Sequence, residues 1–229
     1  MKRKKVFYAE LAYVLGIALL ALGTALMERA DYGMSMVVAP AYIAHLKMSQ
    51  FLPWFSFGVA EFALQGALLV VLSLCMGRFK RSYLFSFATA VLYGLVLDLC
   101  ISAVALLPGS GTLVRLIFYA LGLLLCAAGV ELLFHSYIPP EAYELVVKEI
   151  AVRQRWDVGR VKTAYDCISC ALGIALSFAF FGWGRFEGVK AGTILCALVN
   201  GSLIGWIDRN LHRSFAFRDG LKLRSLFEK

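Results

Sequence analysis

The chain has 229 residues, 61% of them hydrophobic and 17% charged, with a formal net charge of +8. Soluble domains carry roughly a quarter charged residues, so this composition, with a mean hydropathy of +0.76, excludes an ordinary soluble fold and describes a polytopic membrane protein. Apolar runs take up about half the chain, which leaves no room for a separate soluble catalytic domain.

A membrane-spanning helix needs ~20 mainly apolar residues. Six stretches qualify: 9–29, 54–76, 83–107, 112–134, 161–182 and 189–208. The expected fold is a single all-α domain of six transmembrane helices with a basic tail over 209–229. The start MKRKK before an apolar run also has the form of a signal peptide, but the first span has a counterpart later in the chain, which makes it part of the fold.

With the N-terminus inside, the cytoplasmic segments collect Lys2, Arg3, Lys4 and Lys5, then Arg78, Lys80 and Arg81, then Lys148, Arg153, Arg155, Arg160 and Lys162, and finally Arg209, Arg213, Arg218, Lys222, Arg224 and Lys229. Only Arg29, Lys47, Arg115, Arg185 and Lys190 fall outside, so 18 of 23 basic residues lie on one side. The positive-inside rule then predicts an N-in, C-in orientation. The net charge thus reports topology, and nucleic-acid binding is not inferred from it.

The segment LGIALLALG (15–23) is matched by LGLLLCAAG (121–129) at an offset of 106. Glu61 and Asp166 then correspond at 105, and Gly94 and Gly201 at 107. These matches predict two three-helix repeats, about 9–107 and 112–208. Three spans per half invert the second half in the membrane, the pattern of transporters and channels with a site at the midplane.

In each half a connector follows the first span. The inner one (135–160) has Ser136 as a candidate cap, Pro139 and Pro140 at a helix start, and Tyr143, Val146, Val147 and Ile150 opposite Glu144, Lys148 and Glu149. It is expected to lie in the membrane interface as an amphipathic helix. The outer one, DYGMSMVVAPAYIAHLKMS (31–49), is less polar and is expected to dip into the bundle as a broken or re-entrant piece.

The segments LGIALLALGTAL, YIPPEAYE, VGRVKTAYD, GVKAGT and NGSLIGWID, spread over 15–208, resemble the YczE/YyaS/YitT-like bacterial integral membrane proteins. The most specific parts are Pro-Pro-x-x-Tyr at 139–143, the Lys162-Thr163-x-x-Asp166 entry, and Gly192-Thr193 followed by Gly201. The resemblance implies the fold and the bacterial inner membrane, and it names no substrate.

An ionised side chain at the bilayer centre costs roughly 2.5 to 3.5 kcal/mol even on the milder scale. Glu61, Asp98, Glu131 and Asp166 are the intramembrane carboxylates. Glu131, near the cytoplasmic end of its span, is expected to snorkel. Glu61 and Asp166 are the leading pair, because the repeat makes them equivalent; the structural alternative is that they cap connector N–H groups or pair with Arg115 or Lys162. Gln65 lies one turn past Glu61, and Tyr93 and Asn200 occupy matching places before Gly94 and Gly201. The substrate-binding set is therefore Glu61, Gln65, Tyr93, Asp98, Asp166 and Asn200, with helix packing through Gly201 and Gly205 a strong alternative for Asn200 and Gly201. A carboxylate in an apolar setting favours its neutral form, which suits proton exchange or an amine-bearing solute.

The six cysteines, Cys75, Cys100, Cys126, Cys167, Cys170 and Cys196, all fall in spans and suit packing better than disulfides. His45, His135 and His212 are scattered over connector, interface and tail, so no metal site and no cofactor is expected, and no enzyme motif is present. The expected function is a small-solute secondary transporter using alternating access, proton-coupled and favouring a cationic or zwitterionic solute. The alternatives are a channel, or an accessory or scaffold membrane protein binding lipid or a partner subunit. Expected partners are a small-molecule substrate and the lipid bilayer, and a homodimer suits so small a bundle.

Overall fold

A computed structural model of the chain describes residues 5–108, 111–156, 158–184, 186–221 and 224, the side chains of 158–160 and 163 excepted. Lys2, Arg3, Lys4, Arg185, Lys222 and Lys229, with the side chains of Arg160 and Thr163, lie outside the described residues. The elements run β1 (Lys5–Tyr8), α1 (Ala9–Ala30), α2 (Ala39–Met48), α3 (Phe57–Met76), α4 (Arg81–Ala105), α5 (Thr112–Phe134), α6 (Ala142–Gln154), α7 (Val158–Phe181), α8 (Ala191–Ser214) and β2 (Phe215–Arg218).

Among the described residues, α1, α3, α4, α5, α7 and α8 are six helices long and apolar enough to cross a membrane. Each pairs its own backbone polar groups, as hydrocarbon requires, and the protein is a multi-pass membrane protein. The six helices match the expected spans closely, with one difference. Helix α8 runs on to Ser214, and β2 then pairs in parallel with β1 in register Lys5↔Phe215 to Tyr8↔Arg218. The fold is thus mostly helical rather than strictly all-α, and the first part of the expected tail continues a helix.

Helices α1 and α5 form the centre: 56% and 50% of their apolar windows are buried in the protein, against 17% and 22% for α7 and α8. They touch backbone to backbone. A Cβ on Gly23 would lie 2.7 Å from the Gly122 carbonyl oxygen, and one on Gly129 would lie 2.8 Å from that of Gly16. Both sit closer than side-chain carbons approach carbonyls, so glycine alone allows this spacing, as in small-residue membrane interfaces. Around this pair α4 packs on α1, α3 on α4, and α8 on α5.

The outer connector does enter the bundle. Met34, Met36, Val38, Ala39, Ala41 and Ile43 are buried, and α2 packs against α7 and α3. Its backbone is tied to the loop before α8, with Met34 N–H donating to the Gly188 carbonyl (3.1 Å) and Gly192 N–H to that of Tyr32 (2.9 Å).

The inner connector is packed onto the protein through one face. Helix α6 is amphipathic and packs on α3, α7 and α4, and Ala142, Tyr143, Leu145, Val146, Val147 and Ala151 are buried. Helix α4 anchors its entry: Ser86 donates to the Pro140 carbonyl at 2.7 Å and Thr89 to that of Pro139 at 3.0 Å. The two prolines precede the helix rather than start it, and Ser136 accepts from Ile138 N–H in a local turn at 3.1 Å.

Candidate binding site

Residues from both connectors line one cavity of about 70 Å³. Ser35, Val37 and Val38 come from the outer connector, Glu141, Tyr143 and Glu144 from the inner one. Thr24 of α1, Tyr93 of α4, Cys126 of α5, Lys162 of α7, and Cys196 and Asn200 of α8 complete its polar lining. Such a volume accepts a few waters or a very small group in this conformation.

Beside it lies a sealed polar layer. Glu61 and Gln65 of α3 are both 0% exposed and Glu141 is 5% exposed. The Gln65 side-chain amide donates to Glu61 Oε2 (3.4 Å) and to Glu141 Oε2 (3.2 Å), while its Oε1 accepts the Ala142 N–H at 3.0 Å. Tyr143 O–H donates to Glu61 Oε2 at 2.9 Å. Glu61 Oε1 and Glu141 Oε1 are buried without a hydrogen-bond partner among the described residues. Burial, followed by the Glu61 and Glu144 carboxylates, holds the Glu141 carboxyl well above the ordinary carboxylate range.

Lys162 is engaged elsewhere, 3.0 Å from Glu144 and 3.3 Å from Asp166. Asp166 thus takes the structural alternative of pairing with Lys162, although its Oδ1 gains no directed hydrogen bond. Glu61 pairs with neither Lys162 nor Arg115, which instead meets Asp31 at 3.1 Å. Capping of the inner connector falls to Gln65, one turn along the same face.

Tyr93 and Asn200 line the cavity together, as their matched positions suggest. Tyr93 O–H lies 3.0 Å from Thr24 Oγ1, whereas Asn200 Oδ1 is buried without a partner among the described residues. Among the described residues of the chain nothing packs closely on Gly201 or Gly205: a Cβ on Gly201 would meet nothing within 4 Å, and one on Gly205 only Arg209 at 3.8 Å.

Asp98 does not belong to this site. Its carboxylate accepts from Ser56 O–H (2.5 Å) and Gly58 N–H (2.8 Å) at the start of α3, where Ser56 Oγ also accepts the Val59 N–H at 3.1 Å. Asp98 therefore caps α3 through Ser56, on the wall of a separate pocket with Glu28, Tyr42 and His45. Asp98 thus serves a structural end that its sequence position could not separate from a binding role.

Glu131 does not snorkel. It is 5% exposed and lies 3.1 Å from His135 Nδ1. The expected scatter of the histidines also fails for two of three, because His135 Nε2 and His212 Nε2 come within 3.2 Å. All six cysteines are free, and Cys126 and Cys196 line the cavity.

The residues missed by sequence reasoning are Glu141, Tyr143, Glu144, Lys162 and Thr24. Glu141 escaped because it lies outside every span, and the Pro-Pro pair before it is the signal that could have marked a buried entry. No curated protein and no solved structure matches the chain. The family model that does match covers residues 7–209, every connector and all but the last turn of α8, so the chain belongs to the family of unknown function DUF6198.

Proposed function

We propose that this protein is a small-solute secondary transporter that works by alternating access, coupled to protons and selective for a cationic or zwitterionic solute. One observation carries the reading: Glu61 and Glu141 are buried together beside a polar cavity, bridged by a neutral amide, and neither makes an ion pair among the described residues. Two ionised carboxylates so placed repel each other in a weakly screening medium. The pair is relieved by a proton or by a cationic group entering from the cavity. Competition between the two for the same oxygens couples their movements. The Lys162–Glu144 ion pair and the buried Asn200 amide oxygen on the cavity wall put both signs of charge beside the cavity, which suits a zwitterion that exchanges partners with the pair.

The inverted repeat supports alternating access. Gly16 meets Gly129 and Gly23 meets Gly122, and a shift of 106 residues exchanges these two contacts, the self-complementary pattern of a two-fold axis. The halves differ where exchange of packing is needed. A Cβ on Gly94 would lie 2.6 Å from the Gly58 carbonyl oxygen, while the counterpart Gly201 faces open space. The distribution of basic residues favours both termini in the cytoplasm, and the resemblance to YczE/YyaS/YitT-like proteins favours the bacterial inner membrane.

The test is a liposome assay with a trapped pH dye, in which amino acids and amines are added outside one at a time. A solute from this panel moves protons through the wild type, and Glu61→Gln and Glu141→Gln abolish that movement while the purified variants stay folded. Wild-type proton movement in both variants overturns the reading.

A further inference from the structure

Two histidines and an aspartate converge where α5 ends and α8 begins its last turns. His135 caps α5, and Asp208 and His212 are one turn apart on α8. His135 Nε2 lies 3.2 Å from His212 Nε2 and 3.8 Å from Asp208 Oδ1, and His212 Nε2 lies 3.2 Å from that same oxygen. The circle through atoms spaced this way has a radius of about 2.0 Å, the length of a Zn–N or Zn–O bond. One ion at its centre reaches all three atoms without movement of the helices.

The protonation pattern is the one a metal needs. His135 Nδ1 faces the Glu131 backbone carbonyl at 2.9 Å and the Glu131 carboxylate at 3.1 Å. Both are acceptors, so Nδ1 holds the proton of the neutral ring and Nε2 directs a lone pair toward His212 and Asp208. A carboxylate behind the remote nitrogen of a ligating histidine is the usual outer partner in zinc sites. The buried Glu131, 5% exposed, supplies it, which gives this intramembrane-edge carboxylate a use. The Phe217 ring of β2, 4.1 Å from the His135 ring between centroids, covers one side.

We propose that His135, Asp208 and His212 bind one divalent transition-metal ion of the zinc class, with Glu131 orienting His135 and a water completing the shell. Two imidazoles and one carboxylate suit zinc, whereas calcium and magnesium demand mostly oxygen ligands. The ion ties the end of α5 to α8, a helix with little buried surface of its own. This site is independent of the Glu61 and Glu141 pair and of the transport reading.

The test uses untagged full-length protein, stripped with a chelator and titrated with zinc chloride at pH 7.5 by calorimetry. One zinc ion per chain binds, the melting temperature rises, and the zinc X-ray absorption edge reports nitrogen and oxygen ligands at about 2.0–2.1 Å. His212→Ala weakens binding by more than ~100-fold, and Glu131→Gln by about 10–100-fold. The His212 side chain is 59% exposed, so its removal leaves the bundle folded. Absence of binding, unchanged affinity in His212→Ala, or sulfur ligands at about 2.3 Å overturns the proposal, the last by moving the ion to cysteines such as Cys167 and Cys170.

Discussion

Glu61 and Glu141 face each other across a single side-chain amide, that of Gln65, which donates to both carboxylates and accepts from the backbone of the inner connector. Helix α3 is thereby fastened to the start of α6 through the same groups that would hold a proton or an amine. Any change in the charge of this layer must act on the position of the connector.

Glu141 sets a pH dependence with a definite sign. Its folded-state pKa is raised by burial, so the folded state holds a proton that the unfolded chain releases above about 4.3. The resulting stabilisation is complete below that value and is lost as pH rises toward the folded pKa. Thermal unfolding in detergent from pH 4.5 to 8 shows a falling melting temperature, and Glu141→Gln flattens the slope. A parallel slope in the variant assigns the effect to another group.

Tyr143→Phe removes the hydroxyl that donates to Glu61 Oε2 and leaves the ring in place. Glu61 Oε2 keeps only the longer Gln65 contact at 3.4 Å, and the loss of one such hydrogen bond costs about 0.5–1.5 kcal/mol. The variant unfolds at lower temperature than the wild type, and Tyr143→Phe added to Glu61→Gln has a smaller effect than it has alone. Additive losses in this double-mutant cycle would show that the two groups do not interact.

The contact between α1 and α5 tolerates no side chain. Gly23→Ala and Gly122→Ala place a Cβ 2.7 Å from the opposing carbonyl oxygen and destabilise by about 1–3 kcal/mol or more. Gly201→Ala, with nothing within 4 Å, changes stability by no more than about 1 kcal/mol and toward greater helix stability. Melting temperatures of the three variants compare them directly.

Asp98→Ala strips the acceptor from Ser56 and from Gly58 N–H, and loss of such a cap costs about 0.5–2 kcal/mol. Stability falls, while the solute-driven proton movement of the protein that remains folded persists. Loss of that movement at unchanged stability would restore Asp98 to the binding site.

Much of the candidate site was legible. Glu61 and Gln65 share a helix face at a spacing of four residues, and Tyr93 and Asn200 were paired by the repeat alone. The first depends on helical periodicity, which is local, and the second on a match between two stretches of sequence. Asp98 misled because a carboxylate that caps a neighbouring helix looks, in one dimension, the same as one that awaits a solute. Glu141 was hidden for a complementary reason: a charge outside the apolar runs reads as solvated until a connector is seen to enter the protein.

The sequence by itself determined the six membrane helices and their ends to within a few residues. These follow from transfer free energy and backbone pairing, which act along short stretches of chain. Only the tertiary structure decided that Glu141 meets Glu61 through Gln65 and that His135 meets His212. Those partners are brought together by the packing of α1 on α5 and by connectors that re-enter the bundle. Contacts between residues about 75–80 positions apart are set by how apolar surfaces close on one another, and hydropathy along the chain carries no record of that closure.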